Sequence, residues 1–332
     1  MTTVFPSAQE IEHAAQLLRS GALVAFPTET VYGLGADATN EAAVEAIFRA
    51  KGRPSNNPLI VHVASFENLL RCTDLTASND PQRLRAQLEA LKSLWPGPLS
   101  VVVPKVPSIC QAVSAGGSTV ALRIPRHPTA LRFITACGRP VAAPSANPSS
   151  YISPTTAAHV RESLGDKVAC ILDGGACEIG LESTVLSLVA NEPVILRPGA
   201  ITAEQLSALL QCNVQLTATA SDQSAPLLSP GLLAKHYSPR TPVQLLDTLG
   251  RLDIGDKKVG AIVFSPDKKL AFTPHTRKVL SERGELHEVA ANLFSALREL
   301  DIAGMDLIVV DTCEPIGLGA AIMDRLLRAA QS

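Results

Sequence analysis

The sequence predicts an α/β protein of two domains joined by a linker, the first built on a twisted mixed sheet. Three observations carry this. Helix-period and strand-period segments alternate through residues 1–212. Several strands follow one another across short turns, as 184–189 and 194–196 do, which favours a mixed sheet over a purely parallel one. At residues 213–242 the composition shifts to Ser, Thr, Ala and Pro without periodicity, which reads as a linker. Residues 243–332 then return to a compact α/β pattern with a parallel-sheet character.

The elements follow in order. Ser7-Ala8-Gln9-Glu10 is a capping box, and Gly21 ends the helix it opens. A buried strand follows at 23–26. Asn40 caps a helix over 41–50, whose apolar stripe is Val44, Ile47 and Phe48; Gly52 and Pro54 stop it. The next strand is 59–63. Asp80-Pro81 opens a helix to about residue 94, and Trp95-Pro96-Gly97-Pro98 breaks it. Strands are expected at 99–103, 120–124, 141–143, 168–172, 184–189 and 194–196, and helices at 128–137 and 155–164. Thr202-Ala203-Glu204-Gln205 is a second capping box. In the second domain, 243–246, 259–264 and 307–310 read as strands, and 288–300 and 319–330 as helices.

Composition limits the function. The chain has 332 residues, 46% apolar and 18% charged, so a sizeable core is expected. A net charge of -2 argues against a protein that coats nucleic acid, though it permits a local basic groove. The seven cysteines form no C-x-x-C pair, so neither a structural zinc nor a disulfide framework is expected. No run of eighteen apolar residues occurs, and residues 1–12 lack the basic and apolar regions of a signal peptide. The expectation is a cytoplasmic protein with no membrane role.

The chemistry concentrates between the strands at 23–26 and 59–63. There the chain reads Pro27-Thr28-Glu29-Thr30-Val31-Tyr32-Gly33-Leu34-Gly35, then Lys51-Gly52-Arg53-Pro54 with Asn57-Pro58-Leu59-Ile60-Val61-His62. Loops so rich in hydroxyls, amides and cations, held between apolar strands, are where chemistry tends to sit. Lys51 and Arg53 read as a helix exit, placed to hold an anion and dispensable to the fold. Gly33 to Ala38 has the form G-x-G-x-x-A, but no ribose-binding acid follows about twenty residues later, which argues against a dinucleotide site. No G-x-x-x-x-G-K-[ST] occurs, so there is no P-loop. Lys51, Arg53, Arg123 and Arg197 supply charge at strand ends or loop junctions, and Thr119, Ser145, Asn147 and Ser153 supply neutral donors. Singly, each arginine reads as a surface ion pair and His62 as a half-buried histidine; together they do not.

Further motifs are Trp95-Pro96-Gly97-Pro98-Leu99, Val120-Ala121-Leu122-Arg123-Ile124-Pro125, Ala143-Pro144-Ser145-Ala146-Asn147, Glu182-Ser183-Thr184-Val185 and Leu196-Arg197-Pro198-Gly199. With the central stretch, these resemble the threonylcarbamoyl-adenylate synthase family and its YrdC-type catalytic domain. Ser229-Pro230-Gly231 through Lys235-His236-Tyr237-Ser238-Pro239 resembles the linker of two-domain members, which implies a Rossmann-like second domain. Leu232 stands for the usual methionine of that motif and Ser238 for an alanine.

The resemblance implies a nucleotidyltransferase that makes threonylcarbamoyl-AMP from ATP, L-threonine and bicarbonate, releasing pyrophosphate. The product would supply tRNA threonylcarbamoyl-transfer machinery. It implies a catalytic set of Lys51, Arg53, Ser145 and Asn147. ATP contacts would come from Arg53, Asn57, Thr119, Ser145, Ser153, Arg197 and His236. Threonine contacts would come from Thr30, His62, Arg123, Ala143 and Ser183, with Arg123 on the α-carboxylate. Mg²⁺ is expected with ATP, held mainly by the nucleotide, since no carboxylate cage for a metal is visible. Residues 229–239 would fold over the mouth as a lid, with His236 near the nucleotide and the second domain as anchor. Two alternatives share the domain type: an RNA-binding module, of which a weak RNA contact is the residue, and a carbamoyl-adenylating hydrogenase-maturation enzyme, whose zinc-finger cysteines this chain lacks.

Overall fold

The computed structural model describes residues 5–217, 236–246 and 254–331. The first domain holds one sheet of ten strands. In chain order these are β1 (Val24–Phe26), β2 (Gly33–Asp37), β3 (Ile60–His62), β4 (Leu99–Pro104), β5 (Thr119–Arg123), β6 (Val141–Ala142), β7 (Cys170–Ile171), β8 (Thr184–Ser187), β9 (Val194–Arg197) and β10 (Gln215–Leu216). Their spatial order is β10-β9-β8-β4-β5-β3-β6-β2-β1-β7. Pairings mix: β1–β2, β2–β6, β3–β6, β4–β5 and β8–β9 are antiparallel, and β3–β5, β4–β8, β1–β7 and β9–β10 parallel. The sheet is mixed, as expected. Its last strand, β10, lies within the stretch that composition reads as linker.

Helices cover both faces. α1 (Ala8–Arg19) and α5 (Pro128–Cys137) pack Ile11, Leu18 and Phe133 against Phe26 and Val141. The capping box predicted at Ser7 and Glu10 forms, and Gly138 closes α5 at φ 64°. The other face receives α2 (Glu41–Lys51), α3 (Phe66–Arg71), α4 (Pro81–Leu91) and α6 (Ala157–Leu164), which bury Val44, Ile47, Leu69, Leu88 and Val160. The capping box at Thr202 and Gln205 also forms, opening α7 (Ala203–Leu210).

The strand β2 falls where the sequence predicts a loop. Gly33-Leu34-Gly35-Ala36-Asp37 has the composition of a turn, and glycine weakens strands. Tertiary packing reverses that preference. A Cβ at Gly35 would stand 3.0 Å from both the Phe26 ring and Val141, and one at Gly33 3.2 Å from the same ring. The glycines let Phe26 lie flat across the sheet.

The second domain has a wholly parallel sheet, in the order β11 (Val243–Leu245), β14 (Leu307–Val310), β12 (Val259–Val263), β13 (Thr276–Val279). α8 (Leu286–Ile302) and α9 (Leu318–Ala329) pack against it. Its core is not its own alone: Val31, Ile152 and Leu181 of the first domain and Tyr237 join Leu293, Phe294 and Leu297 in one apolar cluster. Polar ties reinforce that contact. Arg298 on α8 donates to Ile152 O at 2.5 Å, and Tyr151 donates to Asp301 at 2.7 Å. Among the described residues, no helix is long and apolar enough to cross a membrane.

Candidate active site

The Lys51–Arg53 turn is built by the end of α2. Gly52 takes φ 60°, the left-handed conformation that closes a helix, and turns the chain inward. The helix exit expected to be exposed is buried: Lys51 is 4% and Arg53 8% exposed. Lys51 Nζ donates to Ser145 O at 2.6 Å and also to Asn147 O. Arg53 donates from Nε to Asn57 O at 3.0 Å, and from Nη2 to Asn57 Oδ1 and Pro58 O. These cations hold the loops that carry the other expected residues, so they are not dispensable to the fold.

The Ala143-Pro144-Ser145-Ala146-Asn147 turn is zipped to the central stretch. Leu34 N donates to Pro144 O and Ala146 N to Tyr32 O, each at 2.8 Å. Asn147 Nδ2 donates to Pro148 O and Tyr151 O, while its Oδ1 is buried with no partner. Asn57 Nδ2 is buried and unpartnered too. Ser153 donates to Glu182 Oε1 at 2.5 Å.

The expected threonine-contact residues gather at the end of β3 and β5, where His62 stands in register with Arg123. Arg123 Nη2 faces Glu29 at 2.7 Å, Nη1 donates to Thr30 Oγ1 at 2.9 Å and Nε to Gly97 O at 3.3 Å. Burial pushes the Glu29 carboxyl up, but the Arg123 guanidinium outweighs it and holds the carboxyl below its ordinary range. The protein thus already supplies one carboxylate to Arg123; each Nη nitrogen keeps a second N–H for a ligand. Burial, then the Arg123 charge, push His62 down to about 3, so its ring is neutral, and its Nδ1 is buried without a partner. Ser183 Oγ lies 2.8 Å from Ser100 Oγ and accepts from Arg197 Nη2 at 3.1 Å. A Cβ at Gly199 would stand 2.3 Å from Thr184 N, so Arg197-Pro198-Gly199 passes flat against this strand start.

One cavity, open on one side, joins the two groups; the space between its atoms is about 520 Å³, open solvent at its mouth included. Its wall includes nine of the predicted residues: Thr30, Arg53, His62, Arg123, Ala143, Ser145, Ser183, Arg197 and His236. Lys51, Asn57, Asn147 and Ser153 stand one contact behind it, through Ser145, Arg53 and Glu182. Thr119 is not brought there. It lies at the far end of β5 from Arg123, opposite Pro104. Of the expected lid, residues 229–235 lie outside the described residues. His236 and Tyr237 are described, and both line the cavity.

Basic side chains gather at one end of the site. Burial, reinforced by Arg53, pushes Lys51 well down, and burial pushes Arg53 down to about 9. Burial also lowers Arg197. Burial and these cations hold His236 far below its ordinary value, hence neutral. Buried cations that repel one another are stabilised by an incoming anion. Among the described residues no group of three or more His, Cys, Asp or Glu side chains could hold a metal.

Sequence reading missed Glu182 and Tyr237, both on the cavity wall. Glu182 opens the Glu182-Ser183-Thr184-Val185 motif, yet an acid beside a phosphate site has no evident use until its partner is seen. Tyr237 sits in the left-handed region at φ 61°, uncommon for a bulky side chain, with its hydroxyl buried and unpartnered.

Comparison with known proteins agrees with this geometry. A family model described as telomere recombination matches residues 16–199, and one described as threonylcarbamoyl-AMP synthase, C-terminal domain, matches 201–331. The chain is 42% identical over 330 residues to a Bacillus subtilis protein named threonylcarbamoyl-AMP synthase, covering 97% of this chain and 93% of that one. It is 41% identical over 329 residues to a Pyrococcus abyssi protein of the same name, covering 97% and 94%. The crystal structure of P. abyssi Sua5 complexed with L-threonine superposes with a TM-score of 0.87 at 38% identity, covering 98% of this chain and 95% of that one. On both domains and nearly its full length, the chain belongs to the threonylcarbamoyl-AMP synthase family.

Proposed function

We infer that the cavity makes L-threonylcarbamoyl-adenylate from L-threonine, bicarbonate and ATP, releasing pyrophosphate, for threonylcarbamoyladenosine modification of tRNA. The observation that carries this is the joining, in one cavity, of a neutral histidine and hydroxyls at one end with the buried arginines Arg53 and Arg197 at the other.

Threonine's amine takes up bicarbonate, losing water, to give N-carboxy-threonine. The new carbamate oxygen attacks the α-phosphorus of ATP, the α–β bridging bond breaks, and pyrophosphate leaves. Arg123 offers its remaining N–H groups to the threonine carboxylate, while Glu29 fixes its plane. Neutral His62 presents Nδ1 to the amino acid rather than a charge. Arg53 and Arg197 face the phosphates, where charge builds as pyrophosphate departs. Lys51 holds the Ser145 turn against them. Carbamates are labile, so His236 and Tyr237 over the cavity serve to keep water out. Mg²⁺ would enter on the phosphates of ATP, because it keeps waters and substrate phosphates as ligands and needs few protein carboxylates.

We place the reaction in the cytoplasm, with tRNA threonylcarbamoyl-transfer proteins as consumers of the product. The test is to incubate the full chain with ATP, Mg²⁺, threonine and labelled bicarbonate. Label is expected in a species containing both threonine and AMP. Label absent from every nucleotide product would refute the assignment.

A further inference from the structure

The second domain places a buried arginine against two residues of the cavity wall, Glu182 and Tyr237. Arg325, on α9, is 1% exposed. Its Nε donates to Glu182 Oε2 at 2.9 Å, and its Nη1 to Asp324 Oδ2 at 2.7 Å. Its guanidinium lies 5.2 Å over the Tyr237 ring. Glu182 lines the cavity, and its other oxygen accepts from Ser153 at 2.5 Å. Asp324 also accepts from Arg328 at 3.0 Å. A continuous polar chain thus runs from the second domain through Arg325 and Glu182 to Ser153, with Tyr237 packed against its middle.

We propose that Arg325 is a positioning residue for the nucleotide: it neutralises Glu182 and holds Ser153 and Tyr237 in the cavity wall. This rests on the assignment of ATP to the cavity. A bare carboxylate facing a polyphosphate would repel it, and low local dielectric would make the repulsion strong. Pairing with Arg325 removes that penalty and leaves one Glu182 oxygen for Ser153. Holding the domains together does not require this pair. Val31, Ile152, Leu181 and Phe294 already provide an apolar contact. A desolvated ion pair adds little to such an interface compared with apolar side chains of the same volume. The second domain is therefore an electrostatic part of the site, beyond an anchor for the linker.

Three variants of the full chain test this: Arg325→Met, Arg325→Lys, and Arg325→Met combined with Glu182→Gln. KM for ATP and for threonine, ATP affinity by calorimetry, and Tm are measured for each. Arg325→Met leaves a buried charge unpaired, so KM for ATP is expected to rise roughly tenfold or more, with KM for threonine within about twofold. Adding Glu182→Gln is expected to restore most of the ATP affinity, because charge rather than volume is at fault. Arg325→Lys keeps the charge but cannot span both carboxylates, and is expected to fall between wild type and Arg325→Met. If Arg325→Met does not fold, Arg325→Lys and the double variant decide. Unchanged KM for ATP in the foldable variants, an equal rise in both KM values, or a double variant no better than the single would overturn the proposal. A wild-type chain that consumes no ATP with threonine would instead refute the assigned activity.

Discussion

Arg123 and Glu29 meet at 2.7 Å beneath the cavity, and both are essentially shut off from solvent. Removing one partner strands the other charge, so Glu29→Gln should destabilise the fold by about 3–5 kcal/mol. The pair also sets an acid limb. The folded carboxyl titrates below its ordinary value of 4.5. Its contribution is therefore full above the unfolded value and is lost as pH falls through the folded one. Denaturant melts between neutral pH and pH near 3 should show a shallower acid decline in Glu29→Gln than in wild type. Identical acid slopes would remove Glu29 from the account.

His62 adds a second, earlier acid component. Its folded value near 3 lies below the ordinary 6.5, so the unfolded chain takes up the proton first. Stability from this source is complete above 6.5 and declines as pH drops toward 3. His62→Gln should flatten the stability curve across that window while impairing threonine use. A curve unchanged between those limits would mean the ring is not held neutral.

Lys51 and Arg53 should affect fold and chemistry together. Lys51→Met removes the Lys51 donor from the Ser145 and Asn147 carbonyls; Ser145 O keeps the Asn147 N–H at 3.1 Å, so the expected loss is about 1–3 kcal/mol in all. Charge lost at the phosphates in Arg53→Ala, or a displaced Ser145 turn in Lys51→Met, should lower turnover by roughly 10²–10³, as for a deleted oxyanion donor. Tm and steady-state rates for Lys51→Met and Arg53→Ala check both. Full turnover in the two variants would exclude them from the site, and an unaltered Tm would contradict their packing role.

Gly35→Ala is a test of packing alone. The new Cβ would press on Phe26 and Val141 at 3.0 Å, and overpacking of this kind costs about 1–3 kcal/mol. Phe26→Leu in the same chain should recover part of the lost Tm. Absence of any recovery would place the strain elsewhere.

Substrate choice reports on the amino-acid end of the cavity. The hydroxyls of Thr28, Thr30 and Ser183 and the neutral His62 line it. A site that grips a substrate hydroxyl rejects the analogue lacking it, and a missing methyl alone loses about 10–200-fold. Serine should be a poor substrate for want of the methyl, and 2-aminobutyrate poorer for want of the hydroxyl. Equal kcat/KM for all three would misplace the amino-acid pocket.

Much of this architecture was legible in local chemistry. The capping boxes at Ser7 and Thr202, the Asn40 cap and the Gly52 and Gly138 stops are written in residues three or four apart. The cavity wall was legible through motifs, because Arg53, Ser145 and Arg197 each occupy a loop junction. What stayed hidden depends on distant partners. The strand at Gly33–Asp37 exists because of Phe26, and the burial of Lys51 because of a turn some ninety residues later. Glu182 makes sense only beside Arg325, 143 positions on and in the other domain. Thr119, placed in the site by resemblance, lies instead at the far end of its strand from Arg123.

The central claim is that one cavity couples threonine carboxylation to adenylation. Pyrophosphate release from ATP is its most direct measure, followed in the complete mixture and with threonine or bicarbonate omitted in turn. Release is expected only when ATP, threonine and bicarbonate are all present. Release that continues undiminished without threonine would contradict the account.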